Sequence, residues 1–241
     1  MPKVTSIHAD CVAAIAGWIA EGVYPPGETL PIEPTICTEL GVSRTVVREA
    51  VKTLVAKGLL TTGPRVGTRV QPKANWNLYD PDVIEWRFAA GIDERLLRDI
   101  LDLRLTFEPA ACVFASERAD SGDLARIEEA YLAMANAVHG QGRYFAADID
   151  FHTAILAAAH NQFFAALSPL MIAILRVSMR LSVRNRVGAA ASLPHHRSVA
   201  DAIAARDANA AKSAMIHLIQ VARLDIERGG PVDRDFIAGA A

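Results

Sequence analysis

Apolar residues recur at helical spacing in three segments near the N-terminus, and two short β-prone runs follow them. The helical segments are residues 7–22, 33–40 and 44–57, which end at Gly22, Gly41 and Gly58. Ser43 stands directly before the third segment, where its side chain can cap the helix. The β-prone runs are residues 59–62 and 68–70, and the glycine-containing turn 63–67 between them predicts a hairpin. Together these elements predict a winged helix-turn-helix over residues 1–71.

The remainder of the chain carries a helical pattern only. The predicted helices cover residues 81–90, 93–119, 123–139, 143–159, 162–186, 193–205 and 208–228. Pro169 is expected to kink or split the fifth of these. Their short connections favour an all-α antiparallel bundle over residues 81–230, after a linker at 72–80 and before a loose tail at 231–241. The predicted fold class is therefore mainly α.

Composition is that of an ordinary globular protein. The 241 residues are 51% hydrophobic and 22% charged, which excludes disordered and collagen-like chains. The most apolar run, residues 163–175, is shorter than a membrane span and contains Pro169. Three cysteines at unrelated spacings are typical of reduced thiols. We therefore expect a cytoplasmic protein without a membrane partner.

Charge is distributed unevenly along the chain. Residues 42–75 carry seven basic side chains and one acidic side chain, whereas residues 76–241 have a net charge of −4. A basic segment on a mildly acidic protein favours a polyanionic partner. The alternative is an ordinary solvated basic surface.

The third helix has the pattern of a DNA recognition helix. Arg44 and Arg48 are four residues apart and share the face opposite the apolar one. An arginine side chain can bind O6 and N7 of guanine together in the major groove. The short hairpin tip can enter a neighbouring minor groove. The candidate DNA-binding residues are Ser43, Arg44, Thr45, Arg48, Lys52, Arg65 and Gly67.

This segment resembles the N-terminal domain of the GntR family of bacterial transcription regulators. The matching residues are Pro26-Gly27, Leu30-Pro31, Glu33, the run from Leu40 to Ala50, Leu54, Gly58-Leu59-Leu60 and Gly67-Thr68. The resemblance implies a homodimer on palindromic double-stranded operator DNA. Pro34 departs from the pattern, because many members have a DNA-contacting arginine at this position and proline has no group to donate to phosphate.

Histidines in the second half suggest a metal site. Asp148 and His152 are four residues apart, so they project from one helix face, and His196 and His217 lie on two further helices. One carboxylate and three imidazoles suit zinc, nickel, manganese or iron and leave positions open for a ligand. The alternative is that these are surface histidines or histidines satisfied within the core.

The second half also resembles the all-helical FCD effector domain of the FadR subfamily. The matching motifs are Arg104-x-x-x-Glu108, Asp148-x-x-Phe151-His152, Asn161, His196-Arg197 with Ala202-Ile203, and His217-Leu218. The resemblance implies one divalent ion, zinc before nickel, manganese or iron, held by Asp148, His152, His196 and His217. His195 stands beside His196, so the sequence leaves open which of the two is the ligand.

Arg104 lies in a largely apolar segment, where a charge must be paired. It either forms an ion pair with Glu108, one turn along the helix, or faces a pocket and binds the carboxylate of an effector. The resemblance favours the second interpretation.

Residues 75–86 resemble the same stretch in repressors of galactonate and related sugar-acid catabolism. The expected function is a ligand-responsive repressor that releases its operator when a small carboxylate such as a sugar acid binds the metal-containing helical domain. The alternatives are a metal-responsive regulator and a metal-dependent enzyme that acts on a hydroxy acid.

Overall fold

Three helices and a two-stranded wing form the core of the N-terminal part of the chain. The computed structural model describes residues 6–64, 67–91, 94–182 and 186–229, and it divides into two units at residues 93 and 94. The elements of the first unit are α1 (Ile7–Ala20), α2 (Glu33–Leu40), α3 (Arg44–Ala56), β1 (Leu60–Gly63), β2 (Gly67–Val70) and α4 (Pro81–Ala89). The predicted winged helix-turn-helix is thus confirmed.

Amphipathic helices and the base of the wing build this first core. Side chains from every predicted element are almost fully buried, among them Ile15, Ile36, Val47, Leu54 and Leu60. β1 and β2 pair antiparallel, from Leu60 opposite Val70 to Gly63 opposite Gly67. Burial of one apolar face on each helix is the main source of stability for such a small unit.

The segment predicted as a linker packs onto the first unit. Trp76 is buried and donates its indole N–H to the carbonyl oxygen of Gln71 at 3.1 Å. Lys57 Nζ lies 2.6 Å from Asp80 Oδ2 and 2.9 Å from Asp82 Oδ2. α4 packs against α1, so it lies with the first unit, whereas the sequence prediction had placed it in the helical domain. The sequence pattern of the predicted linker, residues 72–80, is short and polar and does not predict these contacts.

Gly58 is required where the end of α3 meets this segment. Its φ is +79°, and a Cβ atom would lie 2.3 Å from the backbone oxygen of Asn75. Gly58→Ala is expected to lower the free energy of unfolding of this unit by about 1–3 kcal/mol. All three tryptophans (Trp18, Trp76 and Trp86) lie in the first unit, so urea denaturation followed by tryptophan fluorescence reports on it.

Gly17→Ala is the matched control for this prediction. Gly17 lies within α1, and a Cβ atom there has no neighbour within 4 Å. The control is expected to leave stability unchanged or to raise it by up to about 1 kcal/mol. Equal urea midpoints for the wild type and Gly58→Ala would contradict the assigned contact.

The second unit is all-helical, as predicted. Its helices are α5 (Glu94–Arg118), α6 (Ser121–Val138), α7 (Tyr144–Ala158), α8 (Gln162–Ser182), α9 (Arg186–Ala204) and α10 (Ala208–Arg228). α6 packs on α7, and α10 packs on both α5 and α9. α8 continues through Pro169, so the predicted split does not occur, and residues 183–185 of the predicted helix lie outside the described ranges. α9 begins at Arg186 rather than at 193, which places His196 in mid-helix.

Within the part of the chain that the structure describes, one helix is long and apolar enough to span a membrane by length and composition alone. The window Gln162–Met179 in α8 has a mean hydropathy of 1.6. This window extends beyond the run 163–175, which is itself shorter than a membrane span. The later half of the window, including Leu170, Met171, Ile174 and Leu175, is buried in the helical core. A core helix of a globular protein passes the same test of length and composition.

Candidate DNA interface and buried polar site

α3 presents a polar face above a fully apolar back. Ser43 caps its N-terminus and accepts a hydrogen bond from the backbone N–H of Val46 at 3.4 Å. Val47, Ala50 and Leu54 are fully buried, whereas Arg44, Thr45, Arg48 and Lys52 are all exposed. The side chains predicted to contact DNA thus share the solvent-facing side of the helix.

Two of these basic side chains form ion pairs with exposed acidic side chains. Arg48 Nε lies 2.9 Å and 3.1 Å from the two carboxylate oxygens of Glu33, and Lys52 Nζ lies 2.8 Å from Glu49 Oε1. Exposed pairs of this kind contribute little to stability, so a DNA phosphate or base can replace the partner. Pro34 occupies the first turn of α2, where the helix needs no N–H from it.

Gly67 opens β2 with φ +73°, at the end of the hairpin turn. Arg65, the other residue predicted in the wing, lies outside the described residues. The assignment of DNA contacts to individual side chains stays a prediction.

The core of the second unit contains a cluster of buried charged and polar side chains. Its members are at most 3% exposed and are Arg104, Glu108, Asp148, His152, Ser178 and His196. A cavity with a volume of about 30 Å³ adjoins them. Because burial of a charge without a partner is costly, such a cluster is stable only when each member is paired.

Asp148 lies between two imidazole rings. Its Oδ1 atom is 3.0 Å from Nε2 of His196 and 3.4 Å from Nε2 of His152. The ligand atoms of these three residues all lie within 4.8 Å of one another. α7 supplies Asp148 and His152 at the predicted spacing of four residues, and α9 supplies His196.

The outer nitrogens of both rings are held by other groups. Nδ1 of His196 lies 2.9 Å from the carbonyl oxygen of Ser192, to which it can only donate. Nδ1 of His152 lies 2.5 Å from Glu108 Oε2, a close ionic contact without the alignment of a hydrogen bond. A neutral ring that carries its proton on Nδ1, next to these oxygen atoms, directs the lone pair of Nε2 at Asp148. Two such lone pairs repel a carboxylate unless a proton or a cation lies between them. The three donors therefore fit a divalent cation, and the Glu108–His152 pair is the usual outer support of a metal-binding histidine.

The charges of the cluster perturb one another strongly. Burial alone would lower the pKa of His152, but the carboxylates of Glu108 and Asp148 raise this pKa to about 9. Burial acts to raise the pKa of Glu108, but Arg104 and His152 lower it to about 2. The pKa of Asp148 is lowered in the same way, against burial, by His196 and His152.

These shifts predict how the stability of the metal-free protein depends on pH. His152 has a higher pKa in the folded state than its ordinary value of 6.5, so its contribution is complete below pH 6.5. Between about pH 6.5 and 9 that contribution falls by up to about 1.4 kcal/mol per pH unit. Glu108 has the opposite sign, and its contribution is lost as the pH falls from about 4.3 towards 2. Urea denaturation in the presence of a chelator, monitored by circular dichroism, measures the free energy of unfolding in both pH ranges.

Zinc is the control for this prediction. Metal binding needs a neutral His152, so the stability that zinc adds is expected to increase with pH over the window in which the metal-free protein loses stability. Parallel curves with and without zinc between pH 6.5 and 8.5 would contradict the assignment of His152.

Arg104 is paired within the cluster and also lines the cavity. Its Nε atom lies 2.6 Å from Glu108 Oε1, and Nη1 donates to Ser178 Oγ at 2.8 Å. The ion pair with Glu108, one of the two alternatives for this residue, is therefore present. Contact with an effector carboxylate stays a prediction, and the two roles are compatible because the guanidinium group has five N–H donors.

His217 does not join the other three predicted ligands in this structure. It is exposed on α10, and its ring centroid lies 4.8 Å from that of His195. His196, rather than His195, directs its ring at Asp148. Burial lowers the pKa of His195, with His217 and His196 acting in the same direction. The role of His217 as a fourth ligand stays a prediction.

Comparison with known families agrees with both halves of this description. Residues 9–70 match the family described as "Bacterial regulatory proteins, gntR family". Residues 99–221 match the FCD domain. The chain belongs to the GntR family of bacterial transcription regulators. It is thus a DNA-binding regulator, and the alternative of a metal-dependent enzyme is dropped.

Individual relatives extend over most of this GntR-family chain. The galactonate operon transcriptional repressor of Escherichia coli K12 is 34% identical over 86% of this chain and 91% of its own length. An E. coli K12 protein named as a regulator of the L-lactate dehydrogenase operon is 30% identical over 86% of this chain and 80% of its own length. The solved structure of Lar from Listeria monocytogenes shares the fold, with a TM-score of 0.65 and 16% identity over 94% of this chain and 99% of that one.

Sequence reasoning missed two supports of the cluster. The sequence predicts Glu108 only as a partner of Arg104, yet it also contacts His152 on α7. Ser192 supplies the carbonyl oxygen that orients His196, and its hydroxyl group is hydrogen-bonded to Tyr144 on α7. The spacing of four residues between Ser192 and His196 would indicate this contact if both residues lay in one helix. The predicted helix begins at residue 193, whereas α9 begins at Arg186 and includes both.

Proposed function

We propose that this regulator represses genes of sugar-acid catabolism and releases its operator when a galactonate-like hydroxy acid binds the helical unit. It would act in the cytoplasm as a homodimer on a palindromic operator. The observation that carries the proposal is the meeting, at one cavity, of the Arg104 guanidinium group and the carboxylate and imidazoles of Asp148, His152 and His196. The similarity to a galactonate operon repressor supports the choice of acid.

The buried residues divide the recognition of such an acid between them. Arg104 can donate charge-assisted hydrogen bonds to the acid's carboxylate. Asp148, His152 and His196 would hold the divalent ion, zinc in our proposal, with His217 as a candidate fourth ligand. Such an ion offers open positions at which a carboxylate and its α-hydroxyl group bind together. Glu108 keeps Arg104 and His152 in place, with contacts of 2.6 and 2.5 Å.

The small volume of the cavity implies that binding of the acid changes the conformation of the helical unit. About 30 Å³ has room for roughly two water molecules, which is less than a six-carbon acid needs. We therefore expect the acid to displace side chains of the cavity wall and to favour whichever conformation has the wider cavity. In a homodimer, both recognition helices must match half-sites about 34 Å apart, so a small change in their spacing weakens operator binding.

A thermal-shift screen of hydroxy acids tests the proposed effector class. Zinc-loaded protein should gain about 2.7 kcal/mol of stability at a ligand concentration one hundred times Kd. Galactonate should stabilise the protein, whereas galactose, which has no carboxylate, should not. Stabilisation by zinc with no further effect of any acid would favour the metal-responsive alternative.

A further inference from the structure

The cavity of the helical unit is lined both by deeply buried charged side chains and by polar side chains that are only partly buried. Arg104, Asp148, His152 and His196 are each 3% exposed, whereas three other polar lining residues, Ser182, Ser192 and Asp225, are only partly buried. The remaining lining residues are apolar and are Met179, Leu218, Val221 and Ala222. A ligand that carries a charged group and further polar groups suits such a lining.

Asp225 is the acidic side chain among the partly buried lining residues. Among the residues that the structure describes, it forms no hydrogen bond and no ion pair, although its charge acts on His195. Its carboxylate oxygens are thus available as acceptors, and a carboxylate can accept from up to four donors. α10 carries it, so Asp225 lies on a different wall from the residues of α7 and α9.

Ser182 lines the cavity about one helical turn along α8 from the hydrogen-bond partner of Arg104. It follows Ser178, the hydrogen-bond partner of Arg104, by four residues on α8. Four residues advance a helix by about 6 Å along one face. This distance is comparable with the length of an extended six-carbon chain and exceeds that of a two-carbon acid.

We propose that Asp225 selects polyhydroxy acids by accepting hydrogen bonds from the distal hydroxyl groups of a ligand anchored at Arg104, with Ser182 as a second partner. This inference rests on the proposed function and names the part of the ligand that its site distinguishes. The charge of Asp225 also repels a carboxylate, so it disfavours the reversed orientation of the acid. A short hydroxy acid gains nothing from Asp225 and is weakened slightly by its charge.

Isothermal titration of zinc-loaded, full-length protein with glycolate, glycerate and galactonate tests the proposal. In Asp225→Ala, galactonate affinity should fall by about ten- to a hundred-fold, the loss expected for hydrogen bonds to a charged group. Glycolate affinity should stay the same or rise, because a negative charge has been removed. Glycerate should lie between the two. Glu227→Gln removes an equal charge from an exposed position of the same helix and should change none of the three.

The remaining outcomes separate this inference from the function on which it rests. Equal changes in galactonate and glycolate affinity, or no change in either, would overturn the role of Asp225 and leave the effector class intact. Loss of zinc from Asp225→Ala would overturn it as well, since Asp225 would then belong to the metal site. Failure of the wild type to bind any of the three acids would overturn the proposed function and this inference together.

Discussion

Asp148→Asn should lose its metal ion and its response to sugar acids while it still binds the operator. The substitution keeps the shape of the side chain but removes the charge that both imidazole Nε2 atoms face at 3.0 and 3.4 Å. A metal site that loses its one anionic ligand loses most of its affinity. We expect zinc affinity to fall at least ten-fold and galactonate to leave the protein on its operator at concentrations that release the wild type. Elemental analysis and fluorescence anisotropy of labelled operator DNA measure the two effects.

Asp150→Asn is the matched control for this prediction. Asp150 lies on the same helix, two residues away, and is exposed. The control should retain zinc and the normal response. A wild-type zinc content in Asp148→Asn would show that Asp148 is not a ligand, and normal release by a zinc-free variant would show that the ion does not take part in the response.

Arg44→Ala and Arg48→Ala should each weaken specific operator binding by about 1–3 kcal/mol, as expected for the loss of a base contact. Both side chains are exposed on the capped helix α3, and neither supports the core. Lys52→Ala should instead weaken binding to all sequences similarly and reduce the salt dependence, because its candidate partner is a phosphate. Anisotropy titrations over a range of salt concentrations distinguish the two effects.

Glu33→Gln separates a DNA contact of Arg48 from its ion pair. The carboxylate of Glu33 holds Arg48 at 2.9 Å, and its neutral replacement should maintain or strengthen operator binding, since it removes a competing anion. If Arg48 acts only by holding Glu33, then Glu33→Gln and Arg48→Ala should weaken binding equally. Operator binding by Arg44→Ala and Arg48→Ala at wild-type affinity would contradict the recognition-helix assignment.

The fold could be predicted from the sequence because local signals agree with it. In α3, the Ser43 cap, the apolar spacing and Gly58 all indicate one helix with one buried face. Local signals do not predict the position of a residue that is placed by a tertiary contact. The sequence predicts a polar linker around Trp76, but this side chain is buried in the core of the first unit, and nothing in its sequence neighbours indicates that contact.

The site was predictable only in part, for the same reason. A spacing of four residues on one helix brings Asp148 and His152 together without tertiary information. His196 depends on the path of α9, and Pro194 had suggested a helix start directly before it rather than a helix interior. His217 immediately precedes Leu218, which lines the cavity, and one residue turns a helix by about 100°, so sequence proximity could not decide which side chain faces inward.

Operator release by galactonate, measured on zinc-loaded wild type and on Arg104→Ala in parallel, tests the central claim most directly. The claim is that the buried site of the helical unit controls the winged unit through an acid bound at Arg104 and the adjacent cluster. Titrating galactonate into each protein bound to labelled operator should release the wild type completely. Arg104→Ala should retain zinc and bind the operator equally well, but need at least ten-fold more acid, in line with the loss of a charge-assisted hydrogen bond. Identical release curves for the two proteins would contradict the account and leave Arg104 as a structural partner of Glu108.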